Sequence, residues 1–141
     1  MRNLVVRFGL IALVIGVSGL LPVAALGQNA GAKPTPKMTI QNPEHNFGKV
    51  KEGEQVSFTF IVRNEGSGEL VIDNVSPSCG CTASDFTKTV APGKEGKITL
   101  SVNTAGMSGE VSRYADVISN DKAQANFKLW VHLEVQKAGE K

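Results

Sequence analysis

Apolar and polar residues alternate along three stretches of this chain. In residues 55–63, QVSFTFIVR, Val56, Phe58, Phe60 and Val62 alternate with Ser57 and Thr59. In residues 97–103, KITLSVN, Ile98, Leu100 and Val102 form one line, and Lys97, Thr99, Ser101 and Asn103 form the other. The longest run is NFKLWVHLEVQ at 126–136, where Phe127, Leu129, Val131, Leu133 and Val135 are strictly spaced by two. Successive strand side chains point to opposite faces, so this period predicts strands with one side in a core and one toward water. ELVIDNV and GEVSRYADVIS are weaker strand candidates, and MTI with HNFGKV supplies one more pairing at the start. No window carries a helical stripe. Glu52-Gly53, Gly66-Ser67-Gly68, Ala91-Pro92-Gly93, Ala105-Gly106 and Asn120-Asp121 separate the runs with residues suited to reversals. About seven short strands in some 100 residues predict an all-β, immunoglobulin-like β-sandwich, with a small barrel as the competing architecture.

The ends read differently. MRNLVVR is basic, an uncharged run follows from Phe8 to Leu21, and Pro22 and the small residues Ala25 and Gly27 come next. That order predicts a signal peptide over residues 1–27. The minor alternative is an uncleaved N-terminal anchor, but Gly16, Gly19 and Pro22 interrupt a run shorter than the roughly 20 apolar residues a span needs. Residues 28–37, QNAGAKPTPK, are expected to be a flexible tether, 38–136 the sandwich and 137–141 a tail. Localisation is therefore expected to be exported, periplasmic or secreted, with no membrane span once the signal is removed. Of 15 basic and 13 acidic residues, Arg2 and Arg7 lie in the signal, leaving 13 against 13. A neutral body lacks the electrostatic footprint of a nucleic-acid binder.

The one stretch with chemistry of its own is SPSCGCTASDF, residues 76–86, which holds the only two cysteines. In an extended strand, Cα atoms two residues apart are separated by about 6.6 Å. That is the outer limit of disulfide geometry, so a Cys79–Cys81 bond requires a tightening at Gly80. Such a bond would be strained and labile rather than a staple. An antibody-type bridge between sheets is excluded, because both cysteines share one loop. The pair could instead exchange thiols, hold Cu(I) between two soft thiolates, or simply pack. Zinc would want four ligands, and no spacing brings His45, His132 or Met107 to the pair. Ser/His/Asp and Cys/His groupings are not recognisable, and GKEGKIT lacks the spacing of a phosphate loop. His45 and His132 are expected on the surface. Trp130 with His132, on the outward line of the last strand, forms a candidate contact patch.

Phe47-Gly48-Lys49-Val50, Phe58 to Asn64, Cys79-Gly80-Cys81-Thr82 and Pro92-Gly93 before Ile98 resemble an exported bacterial family of domains without an assigned function. The resemblance runs over about residues 38–135. It implies a fold related to Hydin-type and major-sperm-protein-type immunoglobulin-like sandwiches, and it implies no activity. The expectation is an exported, non-catalytic binding or structural module that meets an envelope or other protein partner, without a cofactor. The alternative is an envelope Cu(I)-binding or thiol-exchange protein working through Cys79 and Cys81.

Overall fold

A computed structural model of the chain describes residues 31–78, 81–137 and 139, with the backbone alone for 81–84. The expected signal, the first three residues of the expected tether and Cys79 lie outside the described residues.

The alternating stretches are strands, and no helix occurs among the described residues. The elements are β1 (Met38–Thr39), β2 (Glu44–Lys51), β3 (Gln55–Asn64), β4 (Leu70–Pro77), β5 (Cys81–Phe86), β6 (Thr89–Val90), β7 (Glu95–Asn103), β8 (Gly109–Ser119) and β9 (Asn126–Gln136). Seven have six residues or more, and the other two are two-residue pairings. They form two sheets of order β1-β3-β7-β5 and β2-β9-β8-β4-β6, a sandwich rather than a closed barrel. All pairings are antiparallel except that of β2 with β9. The first strand of the sandwich is thus divided, with β1 on one sheet and β2 crossing to the other.

The core lies between the sheets and follows the predicted lines. Phe60, Val62, Ile98, Leu100 and Val102 from one sheet meet Leu129, Val131, Leu133 and Val135 from the other, all buried. Val56, Phe58 and Phe127 sit at the margin and are only partly buried. Burying a side chain of this size contributes roughly 1.5–3 kcal/mol, so this double line is the main favourable term for the fold. Ser101 departs from the expected solvent line. It is buried, because β7 runs between β3 and β5 and a small side chain there is enclosed by both neighbours.

Two bulges let short strands contribute where strict alternation would fail. In β2, Asn46 pairs with His132 and Lys49 with Glu134, so three steps on β2 match two on β9. Gly48 takes φ of 70° there, and its N–H donates to Asn46 Oδ1 at 2.7 Å. The extra residue reverses the alternation, so Phe47 and Val50 both pack on the core. A second irregularity between Ile72 and Asn74 does the same for Ile72 and Val75.

Polar side chains tie the ends. Asn64 is fully buried: its Nδ2 donates to Gly68 O at 2.8 Å and Val90 O at 2.9 Å, and its Oδ1 accepts from Gly66 N at 3.0 Å and Lys37 N at 3.3 Å. Buried Asp121 accepts from Met38 N at 2.9 Å, joining β1 to the β8–β9 turn of the opposite sheet. Thr35 and Lys37, the last part of the expected tether, are held on the 64–68 turn. Thr35 O accepts from Ser67 N and Gly68 N, and Lys37 O accepts from Glu65 N. At the far end Thr104 Oγ1 lies 2.9 Å from Lys51 O and 2.8 Å from Glu54 O, closing the β2–β3 turn.

Candidate functional site

The cysteine loop is the β4–β5 crossover. Cys79 falls outside the described residues, and Cys81 opens β5 opposite Val102, with its backbone alone described. Among the described residues no three His, Cys, Asp or Glu side chains are grouped to hold a metal. Arg113, from the weakly predicted β8, occupies a core-line position between buried Val111 and Ala115. Its Nη1 donates to Ser112 O at 3.2 Å, while its buried Nε meets no partner among the described residues.

His45 corrects its sequence reading. It pairs in register with Val131 and turns toward the opposite sheet, where its ring stacks on Phe58 at 3.6 Å and meets the edge of Phe47 at 4.7 Å. Burial against these rings lowers its pKa below the ordinary histidine value. An alternating pattern could not reveal this, because β2 is short and interrupted by its bulge.

Trp130 and His132 stand on the outer face of β9, both half-buried. Their rings are nearly parallel with centroids 6.2 Å apart, and Tyr114 of β8 packs against Trp130 at 5.1 Å. His132 Nδ1 and Ser112 Oγ are 2.8 Å apart. Lys128 Nζ lies 4.1 Å from the Tyr114 ring centre and 2.6 Å from Asp116 Oδ1, and that hydrogen bond raises the lysine pKa. Within the patch one tyrosine face carries the lysine and His132 is hydrogen-bonded to Ser112, while Trp130 and His132 both stay half-exposed.

The other feature is an edge. Asn64 N donates to Lys94 O and Asn64 O accepts from Gly93 N, so the even-numbered residues of β3 bond toward β7. Glu65 N donates to Lys37 O on the opposite side, so the odd-numbered residues bond toward β1. β1 pairs only with Arg63 and Asn64. The outward backbone groups of Ser57, Thr59 and Ile61 therefore have no strand of the described residues beside them. A groove of about 330 Å³ lies along this edge, between the Thr39–Asn42 connection and Phe58, Thr59, Phe60 and Ile61. Ile61, at 46% exposure, is one of two large apolar side chains open to water among the described residues. From sequence the strand was legible, but not its place at a sheet edge, because strand order is set by contacts far apart in the chain.

Solved structures share this architecture. A protein of unknown function from Porphyromonas gingivalis W83 superposes with a TM-score of 0.64 at 21% identity, over 74% of this chain and 49% of that one. This chain thus spans about half of that relative's length. The ASH/PapD-like domain 7 of human CEP192 gives 0.57 at 13% identity, covering 84% of this chain and 98% of that one. Part of the secreted serine protease VesC from Vibrio cholerae gives 0.56 at 12%, over 75% of this chain and 24% of that one. At such identities the likeness is one of fold. No curated protein matches the chain. Residues 38–135, from the first residue of β1 to the end of the β9 core line, match the family described as protein of unknown function (DUF1573), and the chain belongs to that family.

Proposed function

We propose that this chain is an exported, non-catalytic binding module that takes an added β-strand along the free edge of β3. What supports the reading is the combination of outward backbone groups at Ser57, Thr59 and Ile61 with the adjoining groove and an exposed Ile61. An added strand satisfies such groups by main-chain hydrogen bonds, and alternate side-chain contacts supply selectivity. The side chains from Gln55 to Val62 carry no charge and include neither proline nor glycine, so this part of β3 lacks the charges and proline that keep an edge solitary. The test is a photo-crosslinking residue at Ile61, with the same residue at exposed Asn126 on the other sheet as control, in the host that exports the chain. A discrete adduct at position 61 and none at 126 is expected. Equal labelling at both positions, or none at 61, refutes the reading.

A further inference from the structure

We propose that the strand received by this edge is β3 of a second copy of the same chain, paired antiparallel about a twofold axis at Phe58; this inference rests on the edge reading above. Among the described residues β3 is the sheet edge left unguarded, since the part of β4 beyond β6 carries Asp73, a bulge and Pro77. β2 carries the Gly48 bulge together with Lys49 and Lys51, β5 is broken between Ala83 and Asp85, and β6 is two residues long. Bulges, charges and shortness are the means by which edges resist pairing.

The register follows from the backbone. Outward-bonding residues of β3 are odd-numbered, so an antiparallel copy must pair odd with odd. A twofold axis at Thr59 would bring Gln55 of the second copy onto Arg63, a position where Thr39 is already paired. Moving the axis to Phe58 pairs Ser57 with Thr59 and Gln55 with Ile61 of the other copy, stopping short of β1. Phe58 then meets its counterpart at a non-hydrogen-bonded position, where cross-strand side chains come closest. Each Phe58 already leans on His45, so the two rings extend the sandwich's aromatic margin across the axis.

Charge agrees with this arrangement. Arg63 lines one end of the groove beside Glu95, its partner on β7, and the turn holding Lys51, Glu52 and Glu54 lies at the other end of the same strand. Antiparallel pairing sets each arginine beside the acidic turn of the other copy, while the uncharged stretch between them meets itself without repulsion.

The protein purified from the host that exports it is tested by sedimentation over about a hundredfold range of concentration, since self-association makes the species present concentration-dependent. Amide exchange at Ser57, Thr59 and Ile61 is read on the same samples. A dimer with all three amides slowed is expected. Thr59→Pro, which removes an outward N–H that no described strand uses, should return the chain to monomer. Ile61→Lys should do the same without touching the backbone, and circular dichroism should show both variants folded. A chain monomeric throughout with fast exchange at these amides overturns the proposal, as does a dimer unmoved by either variant. If the position-61 crosslink has the mass of a different protein, the second copy is refuted while the edge reading stands. If it has twice the chain mass, both hold.

Discussion

Replacing Asn64 with alanine should be among the most damaging changes that remove no hydrophobic contact. Its side chain makes four hydrogen bonds, to Lys37, Gly66, Gly68 and Val90, and is fully buried. It therefore joins the segment before β1, the β3–β4 turn and β6. At about 1 kcal/mol net per bond the sum is roughly 4 kcal/mol, less about 1 because the Lys37 and Gly66 amides reach water once released. A loss of about 3 kcal/mol follows, which lowers the melting temperature of a domain this size by some 12 °C or more. Urea unfolding followed by the fluorescence of Trp130, the only tryptophan, measures it. Asn64→Asp sharpens the test. An aspartate there turns oxygens toward the Gly68 and Val90 carbonyls, so its carboxyl pKa in the folded state must rise above the unfolded value. A raised folded pKa means that the protein gains stability as pH falls through that value toward the unfolded one, so Asn64→Asp should be least stable at neutral pH and recover near pH 5, by about 1 kcal/mol or more. A loss below about 1 kcal/mol for Asn64→Ala, or an Asn64→Asp variant with no pH dependence beyond that of the wild type, would refute this account of the buried asparagine.

Other outcomes follow from single features. His45 has a lowered folded pKa, so protonation favours the unfolded chain; its contribution is complete above about pH 6.5 and is lost as pH falls through the lower folded value. His45→Phe should keep the stack on Phe58 and abolish that part of the pH profile, and an NMR titration that places His45 at or above 6.5 would contradict it. Leu100→Ala, from a fully buried site, should cost about 3 kcal/mol in urea unfolding, a loss under about 1.5 counting against the core as described. Arg113→Met should leave stability unchanged or raise it, since it removes a buried Nε without a described partner, and a clear drop in the urea midpoint would show that the guanidinium is satisfied. Gly66→Ala should expel the lead-in segment, because a Cβ there would meet backbone atoms of Thr35, Pro36 and Lys37. Faster amide exchange at Glu65, Ser67 and Gly68 should report it.

Much of the architecture is legible in the chain because period two is a direct record of a half-buried strand. Val131 could be placed in the core and Trp130 outside it from their positions alone. The irregular strands were harder. A bulge in β2 or β4 erases alternation over three or four residues, so the inward turn of His45 leaves no trace in the pattern. Asn64 and Asp121 look like ordinary strand-end and turn residues, since their burial depends on partners 27 and 83 positions away in sequence. The free edge of β3 is hidden for the same reason. Alternation states which way a side chain points, but not which strand lies beside it.

The division of the first strand between two sheets also has a mechanical consequence. β2 runs parallel to β9, so a pull applied at Lys37 and Gln136 draws the two strands lengthwise in opposite directions. The two β1 pairings and the contacts of the lead-in would yield first, as a small early extension. The β2–β9 ladder would then bear the load in shear, with its hydrogen bonds strained together rather than opened one after another. A tethered copy of this domain should therefore hold its length under tension until that single seam fails.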